Sequence, residues 1–123
     1  MKKILVVEDD KSIALALGTR LRAAGFTVVN AYDALGGVSQ AQREVPDLVL
    51  LDLTMPAGGG LRVAERVRAL PKISTVPIIF LSASKDPEMI EKAMSFGPFA
   101  FIEKPYDPAQ LLVSIQEALG AAT

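Results

Sequence analysis

The chain has no cysteine and no histidine among its 123 residues. Without cysteine there are no disulfides, no thiol redox chemistry and no thiolate metal sites, a composition that suits a reducing cytoplasm. Without histidine, the commonest metal ligand and the usual proton shuttle near neutral pH are both gone. Charge of one sign is lacking too. Thirteen Lys and Arg stand against 14 Asp and Glu, for a net charge of −1, so no basic face marks a nucleic-acid binder. No stretch approaches the roughly 20 apolar residues needed to cross a bilayer. Lys2-Lys3 ahead of Ile4-Leu5-Val6-Val7 looks like the opening of a signal peptide. Glu8-Asp9-Asp10 interrupts it well before the roughly 7–15 apolar residues such a segment needs. Internal repeats, linkers and low-complexity tracts are absent. The expectation is a cytoplasmic protein without membrane attachment.

What is present is a half-apolar composition, enough to build a core, and a length that suits one domain over residues 1–123. Five short apolar runs predict strands near 3–8, 26–30, 47–52, 77–82 and 99–103. Continuous runs of this kind mark parallel strands buried on both faces. Between them, 11–24 carries Ile13, Leu17, Leu21 and Ala24 at helical spacing, and the last stretch carries Leu111, Leu112, Ile115 and Leu119. Residues 33–43, 60–69 and 88–96 are helix-compatible. Asp10 or Ser12, Asp33, and Asp107 with Pro108 are placed to start helices, and Gly25 and Gly97 to end them. Gly58-Gly59-Gly60 reads as a flexible loop. Strand and helix alternating five times predict an α/β fold: a three-layer, doubly wound (βα)5 arrangement with a five-stranded parallel sheet and right-handed crossovers.

Four of the runs end on reactive polar residues: Glu8-Asp9-Asp10, Asp52, Ser82, and Glu103-Lys104-Pro105. In an open α/β sheet the ligand crevice lies at the carboxyl ends of the strands, so these groups would share one pocket. Crowded carboxylates repel, which raises at least one pKa unless a cation sits among them. Lys104 supplies one positive charge. Glu8, Asp9 and Asp52 still leave an excess of negative charge, which predicts a Mg²⁺ site. The competing reading makes Asp9 and Asp10 an acidic helix N-terminus favoured by the helix dipole; Asp52 shows no such capping duty. A carboxylate beside Mg²⁺ can act as a nucleophile toward phosphorus, with Lys104 and Ser82 holding phosphoryl oxygens. Taken singly, Ser82 is an ordinary strand-end hydroxyl and Lys104 a loop lysine. The reading requires Asp52 to lie within about 10 Å of both Asp9 and Lys104.

The ordered set Glu8-Asp9, Asp52 with Met55-Pro56 and Gly60, Ser82-Ala83, and Lys104-Pro105 resembles the response-regulator receiver domain of two-component signalling. The likeness is to the chemotaxis-regulator type with a flavodoxin-like fold, and it spans essentially the whole chain. It implies the strand order 2-1-3-4-5 and makes Asp52 the phosphoacceptor. Asp9 and Asp52 would bind Mg²⁺ directly, Glu8 partly through water, and the Thr54 backbone carbonyl would complete the protein ligands. Ser82 and Lys104 would contact the phosphoryl group, and Lys104-Pro105 would be a cis peptide. Phe101 would be the switch aromatic, although a plain core aromatic fits the position equally. The donor would be a phosphohistidine on a histidine kinase or histidine phosphotransfer protein, since this chain has no histidine. The output would be a downstream protein bound through the fourth helix, fifth strand and fifth helix, with no direct contact to nucleic acid or membrane. Beyond Mg²⁺-dependent self-phosphorylation and self-dephosphorylation, with Thr54 and Ser84 flanking the water route, no enzyme activity is implied.

Three departures from the family pattern stand out, one being Gly97-Pro98-Phe99-Ala100-Phe101 in place of the common acidic pair before the switch aromatic. Gly59 replaces the usual acidic residue before Gly60, which predicts a looser loop. The last helix has no Lys or Arg, so the charge pairing by which the family's DNA-binding branch dimerises is missing. Rival readings are a phosphorylation-independent receiver-like binding module, a structural sheet protein, and a phosphohydrolase of the haloacid-dehalogenase type. The last would place its paired aspartates where this chain has Glu8 and Asp10. Ending at Thr123, the chain reads as either a stand-alone receiver or one cut from a longer regulator.

Overall fold

A computed structural model describes residues 1–121. Five strands, β1 (Lys3–Val7), β2 (Thr27–Ala31), β3 (Leu48–Asp52), β4 (Ile78–Ser82) and β5 (Ala100–Glu103), alternate with five helices, α1 (Lys11–Ala23), α2 (Ala34–Glu44), α3 (Gly59–Ala69), α4 (Pro87–Met94) and α5 (Pro108–Ala121). All strand pairs are parallel, in the order β2-β1-β3-β4-β5. This is the doubly wound α/β architecture that the alternation predicts.

The sheet divides the apolar residues into two cores. Leu5, Val7, Val49, Leu51 and Phe80 point to the face covered by α2, α3 and α4, where they meet Val63 and Val67. Ile4, Val6, Leu48, Leu50 and Ile79 point to the other face and meet Leu17, Leu21, Leu111 and Ile115 from α1 and α5. Every residue of β3 and β4 is buried, as strands covered on both faces require. Each fully buried aliphatic side chain contributes about 1.5–3 kcal/mol, so these layers stabilise the sheet and the polar strand ends are free for other duties.

Asp10, not Ser12, caps α1, accepting from the amides of Ser12 and Ile13. Asp33 caps α2 through the Gly36 amide, and the Asp107 side chain accepts from the Ala109 amide ahead of α5. Gly25 and Gly97 adopt the positive φ that ends α1 and α4. Sequence reading missed Asp86-Pro87, which starts α4 with the Asp86 carboxylate on the Glu88 amide. The core stripe of α1 is also rotated: Ala14, Leu17, Gly18 and Leu21 face inward, while Ile13 is exposed. The small Ala14 and Gly18 let the helix lie close to the sheet, a packing that apolar periodicity alone does not reveal.

The expected flexible loop at Gly58-Gly59-Gly60 is wrong for two of its three residues. Gly59 and Gly60 form the first turn of α3 and are buried. A side chain on Gly60 would run into the carbonyl oxygen of Asp52 and come within 2.9 Å of Leu53 Cα. The glycine is there because α3 packs directly on the backbone that carries Asp52. No helix among the described residues is long and apolar enough to cross a membrane.

Candidate functional site

The parallel register brings the polar strand ends together. Glu8 and Asp9 follow β1, Asp52 ends β3, Ser82 ends β4, and Lys104 follows β5. Hydrogen bonds of the sheet continue past the strands, from the Glu8 amide to Ala31, from the Leu53 amide to Leu81 and from the Lys104 amide to Ser82. The backbone at the site is therefore held by the sheet's own ladder.

One carboxylate oxygen from each of Glu8, Asp9 and Asp52 lies within 4.8 Å of the others. Lys104 Nζ stands 3.4 Å from Glu8 Oε1 and 3.5 Å from Asp52 Oδ1. Glu8 and Asp52 are almost fully buried, and Asp9 is exposed. Both of the distances that the sequence reading depends on are thus well inside about 10 Å. The two readings of the acidic run also separate. Asp10 takes the capping role and Asp9 joins the cluster, while the Asp10 amide donates to Glu8 Oε2 at 3.1 Å.

Asp52 is held by more than Lys104. The Thr54 hydroxyl and amide both donate to Asp52 Oδ1, at 2.7 and 3.0 Å. Oδ1 therefore gathers the Thr54 hydroxyl and amide and the Lys104 ammonium. Sequence reading assigned Thr54 only a backbone carbonyl and a place beside the water route. A Thr two residues after a strand-end Asp is a recognisable local signal for this turn, and it went unread.

The electrostatics follow from this geometry. Burial pushes the Glu8 carboxyl up to about 7; the nearby Asp52 carboxylate adds to the rise and the Asp10 amide opposes it. Burial is thus the leading cause, ahead of the repulsion anticipated from sequence. Burial also acts to raise Asp52, but the Thr54 bonds, Glu8 and Lys104 outweigh it and leave that carboxyl below its ordinary value. Burial would lower Lys104, yet the Asp52 and Glu8 carboxylates hold it above its ordinary value. Asp52 is therefore ionised and Lys104 charged at neutral pH, the pairing a nucleophile and its counter-charge need.

An all-oxygen donor set with one ammonium between two carboxylates fits a hard divalent cation such as Mg²⁺. Three acidic groups against one ammonium leave net negative charge for the ion to neutralise.

Ser82 is buried beside this cluster. Its Oγ accepts from the Ser84 amide at 3.0 Å. The Ser84 hydroxyl in turn accepts from the Asp86 amide, and the Asp86 carboxylate accepts from the Glu88 amide, both at 3.1 Å. Three short links thus connect the end of β4 to the first turn of α4. The Lys104-Pro105 peptide is cis. Phe101 is half-buried against the core under α3 and α4, its ring 6.4 Å from that of Phe80.

Comparison with known proteins points one way. The family model described as response regulator receiver domain matches residues 4–116. The probable transcriptional regulator ycf27 of Porphyridium aerugineum is 39% identical over 118 residues, covering 96% of this chain and 48% of that protein. The response regulator ArlR of Staphylococcus saprophyticus is 33% identical over 119 residues, 97% of this chain and 53% of that one. The chain spans about half the length of the curated relatives it matches. Among solved structures, the chemotaxis protein CheY4 of Vibrio cholerae superposes with a TM-score of 0.88 at 29% identity, covering 96% of this chain and 98% of that one. A CheY-like receiver domain protein from Methanospirillum hungatei reaches 0.92 at 28% identity, covering 99% and 96%.

Proposed function

This chain belongs to the response regulator receiver domain family, and from that membership we propose that residues 1–123 act as one phosphorylation switch with Asp52 as the phosphoacceptor. The observation that carries this reading is Lys104 Nζ lying between Glu8 and Asp52, at 3.4 and 3.5 Å, beside the three clustered carboxylates. A structural ion pair needs one partner; this arrangement keeps surplus carboxylate oxygens turned to a shared point.

The donor is a phosphohistidine on a histidine kinase or phosphotransfer protein, which places the reaction in the cytoplasm. A carboxylate oxygen of Asp52 attacks phosphorus. The P–N bond to the donor imidazole breaks, and that imidazole leaves with the bonding pair and takes a proton from solvent. Glu8, Asp9, Asp52 and the Thr54 carbonyl would hold Mg²⁺, which supplies positive charge to the phosphoryl oxygens. Thr54 keeps Oδ1 fixed and so aims the carboxylate. Lys104 stays charged beside the product.

The Ser82 hydroxyl then turns from Ser84 to a phosphoryl oxygen, gaining a charge-assisted hydrogen bond present in only one state. That turn gives up the link to the Ser84 amide, the first of the three leading to α4, and shifts the population of α4 positions. Phe101, packed under α4, changes with it, and a partner protein reads the α4, β5 and α5 surface. Water later cleaves the acyl phosphate. The chain needs no further enzyme activity in this scheme.

Labelling by a small phosphodonor such as acetyl phosphate tests the reading. Mass spectrometry is expected to show one added phosphoryl group that requires Mg²⁺ and disappears in Asp52→Asn. Equal incorporation in the variant overturns it, and failure to bind both Mg²⁺ and beryllofluoride would favour a phosphorylation-independent module.

A further inference from the structure

Away from the acidic cluster, α2 and α3 leave a groove of about 880 Å³ between them. It opens beside the β3–α3 turn, where Ala57 lies at its edge and a side chain on Gly58 would meet nothing within 4 Å. Leu35, Val38, Ser39 and Gln42 line one wall at i, i+3, i+4 and i+7 spacing, the single outer face of α2. Leu61 belongs to the opposite wall, and Leu35 is 83% exposed at the lip. An apolar trough between two helical ridges suits a third helix, whose side chains seat between those ridges.

The charge around the groove specifies the occupant. Arg62, Arg66 and Lys92 border it against a single anion, Glu65. None of the three cations makes an ion pair among the described residues, and Glu88, one turn before Lys92 on α4, makes none with it. Arg62 and Arg66 stand one turn apart on α3, a like-charge spacing that disfavours the helix until an anion neutralises it. This concentration of positive charge occurs on a chain whose net charge is −1, so it is local to this surface. A flat anionic bilayer would touch the rims and leave the trough unfilled. A nucleic acid would neutralise the arginines and leave Leu35 in water.

We propose that the α2–α3 groove docks an acidic amphipathic helix of a partner protein, with apolar side chains on Leu35, Val38 and Leu61 and carboxylates on Arg62, Arg66 and Lys92. The site lies on the α2–α3 side of the molecule, shares Lys92 of α4 with the α4, β5 and α5 surface, and is open without phosphorylation of Asp52. Its edge at Gly58 nevertheless belongs to the turn that follows Asp52, so a docked helix borders the phosphoacceptor loop.

The test titrates the isotope-labelled full chain with a capped peptide of roughly 18 residues, leucines at i, i+3, i+4 and i+7 and glutamates elsewhere. Two controls replace the glutamates by lysines or scramble the leucines. Saturable shifts of the Leu35, Val38, Gly58 and Leu61 amides are expected from the acidic peptide, at least about tenfold tighter than from either control and weakening with salt. Arg62→Glu with Arg66→Glu, both at exposed positions, is expected to reverse the preference between acidic and basic peptides, and Leu35→Asp to abolish binding by either. Equal affinity for all three peptides, or shifts confined to other surfaces, overturns the proposal. So does saturation of the same amides by anionic lipid vesicles, by an oligonucleotide or by the chain's own concentration when the acidic peptide has no effect.

Discussion

At the carboxyl edge of the sheet, Glu8, Asp9 and Asp52 crowd around one lysine, with more negative charge than the chain itself neutralises. At the amino edge, near the starts of β4 and β5, the Arg68 guanidinium meets four backbone carbonyls. They are those of Phe96 at 2.8 Å, Ser74 at 3.1 Å, Val76 at 2.6 Å and Gly97 at 3.4 Å. Both clusters are half-sheltered and polar, yet they differ in completeness. Arg68 spends four of its five N–H donors on the protein's own chain, tying α3 to the segments that lead into β4 and β5. The acidic cluster is left unbalanced, and the imbalance is what a cation and a phosphoryl group would complete. The structural cluster is closed on the chain's own carbonyls; the functional one is left with surplus charge.

The sharpest way to break this contrast is at Gly60, where α3 rests on the Asp52 carbonyl. Gly60→Ala forces backbone to move, and we expect a loss of about 3 kcal/mol in urea denaturation. Labelling of Asp52 should also slow by at least about tenfold, because near-attack geometry is lost. Arg68→Met comes next. It should cost about 2–3 kcal/mol by leaving carbonyls unpaired, while labelling of Asp52 stays within about twofold; a large loss of labelling would erase the distinction between the two clusters.

The folded chain keeps a proton on Glu8 up to about pH 7, whereas the unfolded chain releases it near 4.5. The folded state therefore binds more protons across that window, and without divalent ions the Glu8 contribution to stability is fully present below about 4.5 and is lost as the pH rises through about 7. Asp52, whose carboxyl lies below 3.8, acts in the opposite sense only at more acidic pH, where its contribution is lost as pH falls. Unfolding free energies from urea titrations in EDTA at about pH 5 and about pH 8 should differ by about 2 kcal/mol. Glu8→Gln should flatten that difference. The smallest effect is expected at Lys104. Replacing it by Met removes the one positive charge beside Glu8 and Asp52, so Mg²⁺ affinity by calorimetry should tighten by about threefold to tenfold; weaker binding would mean that Lys104 helps to hold the metal site in shape.

Much of this molecule is written in local pattern. The unbroken apolar runs Ile4–Val7, Leu48–Leu51 and Ile78–Leu81 mark strands covered on both faces, since only such strands tolerate apolar side chains in both directions. Asp33 and Asp107 are legible as caps because a short carboxylate reaches amides two or three residues on. The polar residues that close each run name the members of the site. Wherever the deciding partner is distant in sequence, the local pattern fails. Gly59 and Gly60 look like a flexible loop until α3 is laid on the carbonyl of Asp52. Ile13 looks like core until α1 is rotated to bring Ala14 and Gly18 against the sheet. Arg68 has no signal at all, because its acceptors lie 6 to 29 residues away.

From the sequence by itself came the alternation of elements, the caps and the identity of the strand-end acids, serine and lysine, because side-chain period and short-range hydrogen bonding are properties of neighbouring residues. Only the tertiary structure decided that Lys104 lies between Glu8 and Asp52, that burial lifts Glu8 toward neutrality, and that α2 and α3 leave a cation-rimmed groove. Distance and desolvation depend on which segments the sheet brings side by side, and no local stretch of chain contains that information.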